Sequence, residues 1–165
     1  MDDDLLHAPH AVALGEALQA RGWLCATAES CTGGLVAGAI TAIAGSSAWF
    51  DRGFVTYSNE AKVELLFVPP ELLASDGAVS EATARAMAAG ALAASHAHVA
   101  VAVTGIAGPG GAMPGKPVGT VCFAWAARDG SMRAETRRLP GDRAAVRAAS
   151  VRIALAGLRE VVQTG

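Results

Sequence analysis

Lysine is scarce in this chain. Of 13 basic side chains 11 are arginine, and the two lysines are Lys62 and Lys116. Alanine fills 38 of the 165 positions. Both biases fit a GC-rich coding sequence that turns interchangeable lysines into arginine and fills helices with alanine. A lysine kept under that bias points to a position where arginine does not serve. An excess of one charge is missing too, with a formal net charge of −2 and an isoelectric point near 6.1. No basic stripe invites a nucleic acid. Three cysteines, Cys25, Cys31 and Cys122, cannot complete a disulfide framework, and their spacing matches no zinc pattern. No uninterrupted apolar run approaches the ~20 residues that span a bilayer. The opening M-D-D-D-L-L-H is acidic where a secretory signal is basic. The expectation is a cytoplasmic protein without membrane or nucleic-acid partners. With 52% apolar residues the chain is too hydrophobic for disorder and long enough to bury a core.

What is present alternates between helix and strand patterns. Residues 5–21 place Leu6, Val12, Leu14 and Leu18 at helical spacing and end at Arg21-Gly22. Strands are expected over 23–28, 49–57 and 99–104, the last apolar throughout and buried on both faces. Helices are expected over 32–44 and 59–67, the second stopped by Pro69-Pro70. Ser80 caps an alanine-rich helix running to about 95, and Asp142 caps a last helix to about 162. Residues 118–128 and 131–139 form a hairpin turning at Asp129-Gly130. This order predicts an α/β chain: a single three-layer α/β/α domain over residues 1–165 with a mixed sheet.

Three polar clusters interrupt the pattern. T-A-E-S-C-T-G-G (27–34) lies between a strand and a helix, where α/β proteins place ligands. Its Ser30, Thr32 and the N–H groups near Gly33 and Gly34 suit an anion, or else cap the helix. The stretch 45–62 holds Ser46, Ser47, Tyr57, Ser58 and Lys62. A serine nucleophile needs a base, and a desolvated lysine serves as one. Proximity to a helix N-terminus would further depress the lysine pKa. Tyr57 is a candidate to relay a proton or position the base. The third cluster (104–120) is rich in glycine and follows the buried strand. Gly105 and Gly108 let backbone approach a ligand, and the loop is long for a plain connection. Gly110–Lys116 fits the start of a phosphate-binding loop, but Pro117 stands where a hydroxyl is needed and a strand follows. His96 and His98 lack a third metal ligand. Arg143, in the first turn of the last helix, opposes the helix dipole and suggests an anion contact.

The ordered motifs T-A-E-S-C-T-G-G, G-S-S-A-W-F, R-G-F-V-T-Y-S-N-E-A-K, G-A-V-S-E, T-G-I-A-G-P-G-G, K-P-V-G-T-V and P-G-D-R resemble the CinA C-terminal domain family. The resemblance covers about residues 10–160. It implies hydrolysis of the carboxamide of nicotinamide mononucleotide to nicotinate mononucleotide and ammonia, in NAD recycling. It implies a Ser/Lys amidohydrolase that needs no metal and no cofactor. The family's functional positions fall on Ser30, Ser47, Tyr57, Lys62, Thr104 and Arg143. Ser30 and Ser47 compete for the nucleophile. Ser47, in a tight turn before the strand that leads to Lys62, is narrowly favoured, with Ser30 supporting ligand or oxyanion. Thr32, Gly33, Gly34, Thr104, Gly105, Gly108, Lys116 and Arg143 are the expected substrate-binding set, with Arg143 on the 5′-phosphate or the developing charge. Lys116 either steadies the glycine-rich loop or touches ligand. The alternative is a non-catalytic nucleotide-binding or regulatory domain of the same fold. An alanine-rich surface is compatible with a homodimer.

Overall fold

The computed structural model describes residues 3–165, and side chains from His7 onward. Five strands form one sheet: β1 (Cys25–Glu29), β2 (Phe50–Val55), β3 (Val99–Gly105), β4 (Thr120–Ala127) and β5 (Met132–Arg138). Their order across the sheet is β2-β1-β3-β4-β5. β1 runs parallel to both β2 and β3, while β3–β4 and β4–β5 are antiparallel. The helices are α1 (Asp3–Arg21), α2 (Leu35–Thr41), α3 (Asn59–Leu66), α4 (Pro70–Asp76), α5 (Glu81–Ala93) and α6 (Arg143–Thr164). This is the expected three-layer α/β/α arrangement with a mixed sheet.

Alternation along the strands sorts the core into two halves. Cys25, Val99, Val101, Val103, Val121, Phe123 and Trp125 pack with Leu14 and Leu18 of α1, Val36 and Ile40 of α2, and Val151, Leu155 and Leu158 of α6. The opposite face is almost all alanine: Ala26, Ala28, Ala100, Ala102, Ala124 and Ala126 meet Ala84, Met87, Ala88 and Ala91 of α5. Small side chains on both partners bring α5 close to the sheet. Alanine thus shapes the sheet face as well as filling helices. The same closeness recurs at Gly90, where any Cβ would overlap the Leu66 carbonyl at the end of α3. That contact holds α3 against α5.

The structure trims several expected elements. Val12 is exposed, and Ala11, Leu14 and Leu18 carry the buried face of α1; the Leu6 side chain lies outside the described residues. α2 starts at Leu35 rather than 32 because Gly33 and Gly34 take φ of 56° and 104°, a left-handed pair that a helix cannot include. Trp23 stands outside β1 and stacks on His98, whose Nδ1 accepts from the Leu24 N–H at 2.9 Å. His98 is therefore a structural residue at the end of the sheet where β1 begins.

Candidate active site

β1 and β3 end side by side, since Glu29 pairs with Val103 and Ser30 N–H donates to the Val103 carbonyl at 2.9 Å. Ser30 and Thr104 continue the alternation on the alanine face, toward α3 and α5. Lys62, in the first half of α3, meets them there. Its Nζ donates to Ser30 Oγ at 3.0 Å, to the Thr56 carbonyl at 2.9 Å and to the Tyr57 carbonyl at 3.3 Å. Lys62 is 1% exposed and Ser30 8%. Burial holds the Lys62 pKa below its ordinary range, with the neighbouring Cys31 opposing. Desolvation is thus the leading cause, as the sequence reading required of a lysine base.

The turn that presents the two carbonyls is itself tied to β1. Thr56 N–H donates to the Glu29 carbonyl at 2.8 Å, and Ser58 caps α3 by accepting from Ala61 N–H at 3.0 Å. A neutral amine has two N–H bonds and one lone pair: were Lys62 neutral, with Thr56 and Tyr57 taking the two hydrogens, the lone pair would accept from the Ser30 hydroxyl in place of the donation an ammonium makes to it, which is the direction a general base needs.

The loop after Ser30 is held from both sides. The buried Glu29 carboxylate accepts from Val36 N–H at 2.9 Å and Ala37 N–H at 3.1 Å. Leu35 N–H goes to the Thr32 carbonyl and Gly38 N–H to that of Gly34. The first-turn donors of α2 are therefore filled from within the protein. Of the two glycines expected to seat an anion, Gly33 N–H goes to the Ser30 carbonyl while Gly34 N–H has no acceptor among the described residues, and both take the left-handed conformation of the turn. From the other flank Arg147 of α6 donates through Nε to the Cys31 carbonyl at 3.1 Å and through Nη2 to the Thr32 carbonyl at 3.4 Å. Among the described residues, the backbone N–H groups of Cys31 and Thr32 have no acceptor. Thr32 itself is buried with an unpartnered hydroxyl. Burial pushes the Cys31 thiol up to about 11, so it stays protonated at neutral pH beside Ser30.

A cavity of about 230 Å³ opens over this pair, walled among others by Tyr57, Asn59, Val79, Thr104, Gly105 and Arg143. Thr104 Oγ1 donates to the Ala78 carbonyl at 2.8 Å, which fixes that wall. A wider cleft of about 670 Å³, lined by Pro109, Val118, Asp142, Arg143 and Arg147, shares Ala107 and Arg143 with it. Arg143 bridges the mouth: it donates to the Gly108 carbonyl at 2.9 Å and to Tyr57 Oη at 3.2 Å. The two partners come from the glycine-rich loop and the β2–α3 turn.

Two expected site residues are elsewhere. Ser47 is exposed on a 3₁₀ turn (Ser46–Ala48) before β2, whereas Ser30 and Lys62 lie past the far end of that strand. Five residue steps at ~3.3 Å each separate the two ends by roughly 16 Å. Lys62 therefore meets Ser30 and not Ser47. Lys116 lines neither cavity and donates to the Asp76 carbonyl at 3.1 Å, fastening the glycine-rich loop to the end of α4. Tyr57 is 62% exposed, with its hydroxyl on Arg143 and its backbone carbonyl on Lys62. Sequence reasoning assigned no role to Glu29, Thr56, Asn59 or Arg147. A lone carboxylate closing an apolar strand, and a second arginine one turn after Arg143, were the available signals. Among the described residues no group of three or more His, Cys, Asp or Glu side chains could hold a metal ion. No helix among them is long and apolar enough to cross a membrane.

The candidate site of this α/β protein is thus a buried serine–lysine pair at the carboxyl ends of parallel strands, beside the glycine-rich loop. The CinA C-terminal domain model matches residues 7–162, and the chain belongs to that family. It is 55% identical over 153 residues to the curated nicotinamide-nucleotide amidohydrolase PncC of Enterobacter agglomerans, covering 92% of this chain and 93% of that one. A CinA-like protein of Mycolicibacterium gilvum is 56% identical over 140 residues, 85% of this chain but 33% of the relative. Among solved structures, the competence/damage inducible protein CihA from Agrobacterium tumefaciens superposes with a TM-score of 0.93 at 48% identity, covering 99% and 97% of the two chains.

Proposed function

We propose that this chain is a nicotinamide-nucleotide amidohydrolase that converts nicotinamide mononucleotide to nicotinate mononucleotide and ammonia, with Ser30 as nucleophile and Lys62 as base. The 3.0 Å contact between Lys62 Nζ and Ser30 Oγ, both buried, carries the reading. Neutral Lys62 takes the Ser30 proton while Oγ bonds to the carboxamide carbon. The carbonyl π electrons move onto oxygen, and the free N–H groups of Cys31 and Thr32 are its donors in this reading. Lys62 then returns the proton to the departing nitrogen, which leaves as ammonia, and a Ser30 ester remains. Water, deprotonated by Lys62, adds to the ester carbon. Collapse releases nicotinate mononucleotide and restores the Ser30 hydroxyl.

The smaller cavity takes the pyridine carboxamide, and the wider cleft, with the Arg143 guanidinium at its junction with the smaller one, takes the ribose phosphate. The same chemistry fits a place in NAD recycling. The 55% identical amidohydrolase relative supports the reaction class.

The test is ammonia release from nicotinamide mononucleotide by wild type, Ser30→Ala and Ser47→Ala. Wild type and Ser47→Ala should turn over, and Ser30→Ala should lose several orders of magnitude in kcat while still binding substrate. An acyl adduct trapped by rapid quench should map to Ser30. An adduct on Ser47, with Ser30→Ala still active, would reverse the assignment.

A further inference from the structure

α6 opens with Arg143 and, one turn on, Arg147, and has no acidic residue in its first turn. Two cations on one face at the positive end of a helix are unfavourable by several tenths of a kcal/mol or more. The ligand-facing role of Arg143 accounts for one of them. Arg147 reaches a different place: the carbonyls of the two residues that follow Ser30. Neither is an anion, and any hydrogen-bond donor could satisfy a carbonyl. A charged, planar donor pair spent on this one turn calls for a reason in the chemistry.

Peptide geometry supplies it. The Cys31 carbonyl and the Thr32 N–H belong to the same trans peptide and point in opposite directions. Holding that carbonyl against α6 turns the Thr32 N–H away from α6. This N–H, like those of Cys31 and Gly34, has no acceptor among the described residues. A guanidinium on the carbonyl also draws electron density from the peptide and strengthens the opposite N–H as a donor. At the other end of the turn the Glu29 carboxylate pins the start of α2. The segment from Cys31 to Ala37 is thus held by a cation at its start and an anion at its end, with the free Thr32 N–H two residues after the nucleophile.

We infer that Arg147 is a positioning residue for amide hydrolysis: through the Cys31 carbonyl it aims the Thr32 N–H at the oxyanion formed when Ser30 attacks. The inference rests on the amidohydrolase reading above. It predicts a defect in the transition state and not in substrate binding, which separates it from a role for Arg147 as a phosphate ligand in the wider cleft.

Kinetics of the full chain with Arg147→Met and Arg147→Lys test it, together with two ligands. One is the nucleotide carrying an aldehyde in place of the carboxamide, which adds the Ser30 hydroxyl to give a tetrahedral adduct with an oxyanion. The other is the product, nicotinate mononucleotide. Arg147→Met should lower kcat by about 10²–10³, the usual cost of a lost oxyanion donor, with KM changed by less than about threefold. Aldehyde affinity should fall by the same factor as kcat/KM, and product affinity should hold. Arg147→Lys, which keeps the charge but loses the fork, should recover part of both losses. A raised KM with kcat intact would make Arg147 a phosphate ligand and overturn the proposal. Equal weakening of aldehyde and product would do the same, by reducing its role to general support. If Arg147→Met does not fold, the ratio of aldehyde to product affinity in Arg147→Lys decides between these outcomes. A wild type that releases no ammonia but binds the aldehyde covalently would remove the amidohydrolase reading and the proposal with it.

Discussion

Replacing Lys62 with methionine separates what the buried amine does for the fold from what it does for the reaction. The amine is shut away from water, and burial lowers its pKa from the ordinary 10.5. Between the lowered folded-state pKa and 10.5 the unfolded chain binds a proton that the folded protein does not. Stability therefore rises with pH across that window and is lost again as pH falls through the folded-state pKa. Lys62→Met removes this proton and keeps an unbranched chain of similar length. Other groups titrate in both proteins, so subtracting the two stability curves isolates Lys62. Wild type minus variant must climb with pH, by no more than ~1.4 kcal/mol per pH unit for a single proton. The carbonyls of Thr56 and Tyr57 lose their donor in the variant, which offsets the curves vertically and leaves the slope alone. Urea unfolding from neutral pH to about pH 10 measures both curves. Parallel curves would refute the claim that Lys62 is held out of its ordinary titration. In the proposed mechanism the neutral amine is the base, so kcat/KM of wild type should rise with pH below the lowered pKa and level off above it. An activity profile flat on the acid side would remove Lys62 as the base.

Glu29→Gln should cost about 2–4 kcal/mol in unfolding free energy, because an amide accepts one of the two α2 N–H bonds and turns a donor toward the other; an unchanged urea midpoint would count against the clamp. Arg143→Ala should raise KM for nicotinamide mononucleotide far more than it lowers kcat, and shrink the preference over the phosphate-free riboside, since that side chain borders both cavities. Lys116→Ala should leave that preference intact, its amine being on the Asp76 carbonyl; a lost preference would restore Lys116 to the binding set. Incubation with a chelator should not change ammonia release, and loss restored by added Zn²⁺ or Mg²⁺ would show a metal-dependent reaction.

The parts of this protein that sequence expresses as pattern were legible before any coordinates. Periodicity and caps located the helices and strands to within a few residues, and the expected caps Ser80 and Asp142 do cap α5 and α6 through their side chains. The lysine bias pointed at Lys62, the base of the proposed reaction, for a reason independent of any family motif. The same bias pointed at Lys116, which the structure keeps out of both cavities. Scarcity marks a position as constrained without saying by what, and at 116 the structure offers a loop fastening as the role.

The choice between Ser30 and Ser47 turns on strand direction, which local patterns do not carry. Ser47 is 15 positions before Lys62 and Ser30 is 32 before it, so chain distance favours Ser47. Yet a parallel sheet puts every strand's carboxyl end on one edge. β1 and β2 run parallel, so the residue after β1 and the helix after β2 must meet at that edge, while the turn before β2 must lie at the other. Once 25–29 and 50–55 are taken as adjacent parallel strands, Lys62 can reach Ser30 and cannot reach Ser47. Glu29 and Arg147 escaped for the converse reason. Their roles are set by backbone groups seven or eight residues away in one case and more than a hundred in the other. A backbone carbonyl or N–H has no residue letter, so a site that works through peptide planes leaves its mark only on the side chains that hold them. A buried carboxylate and an arginine at the wrong end of a helix are such marks. They identify the peptide that an assay should perturb.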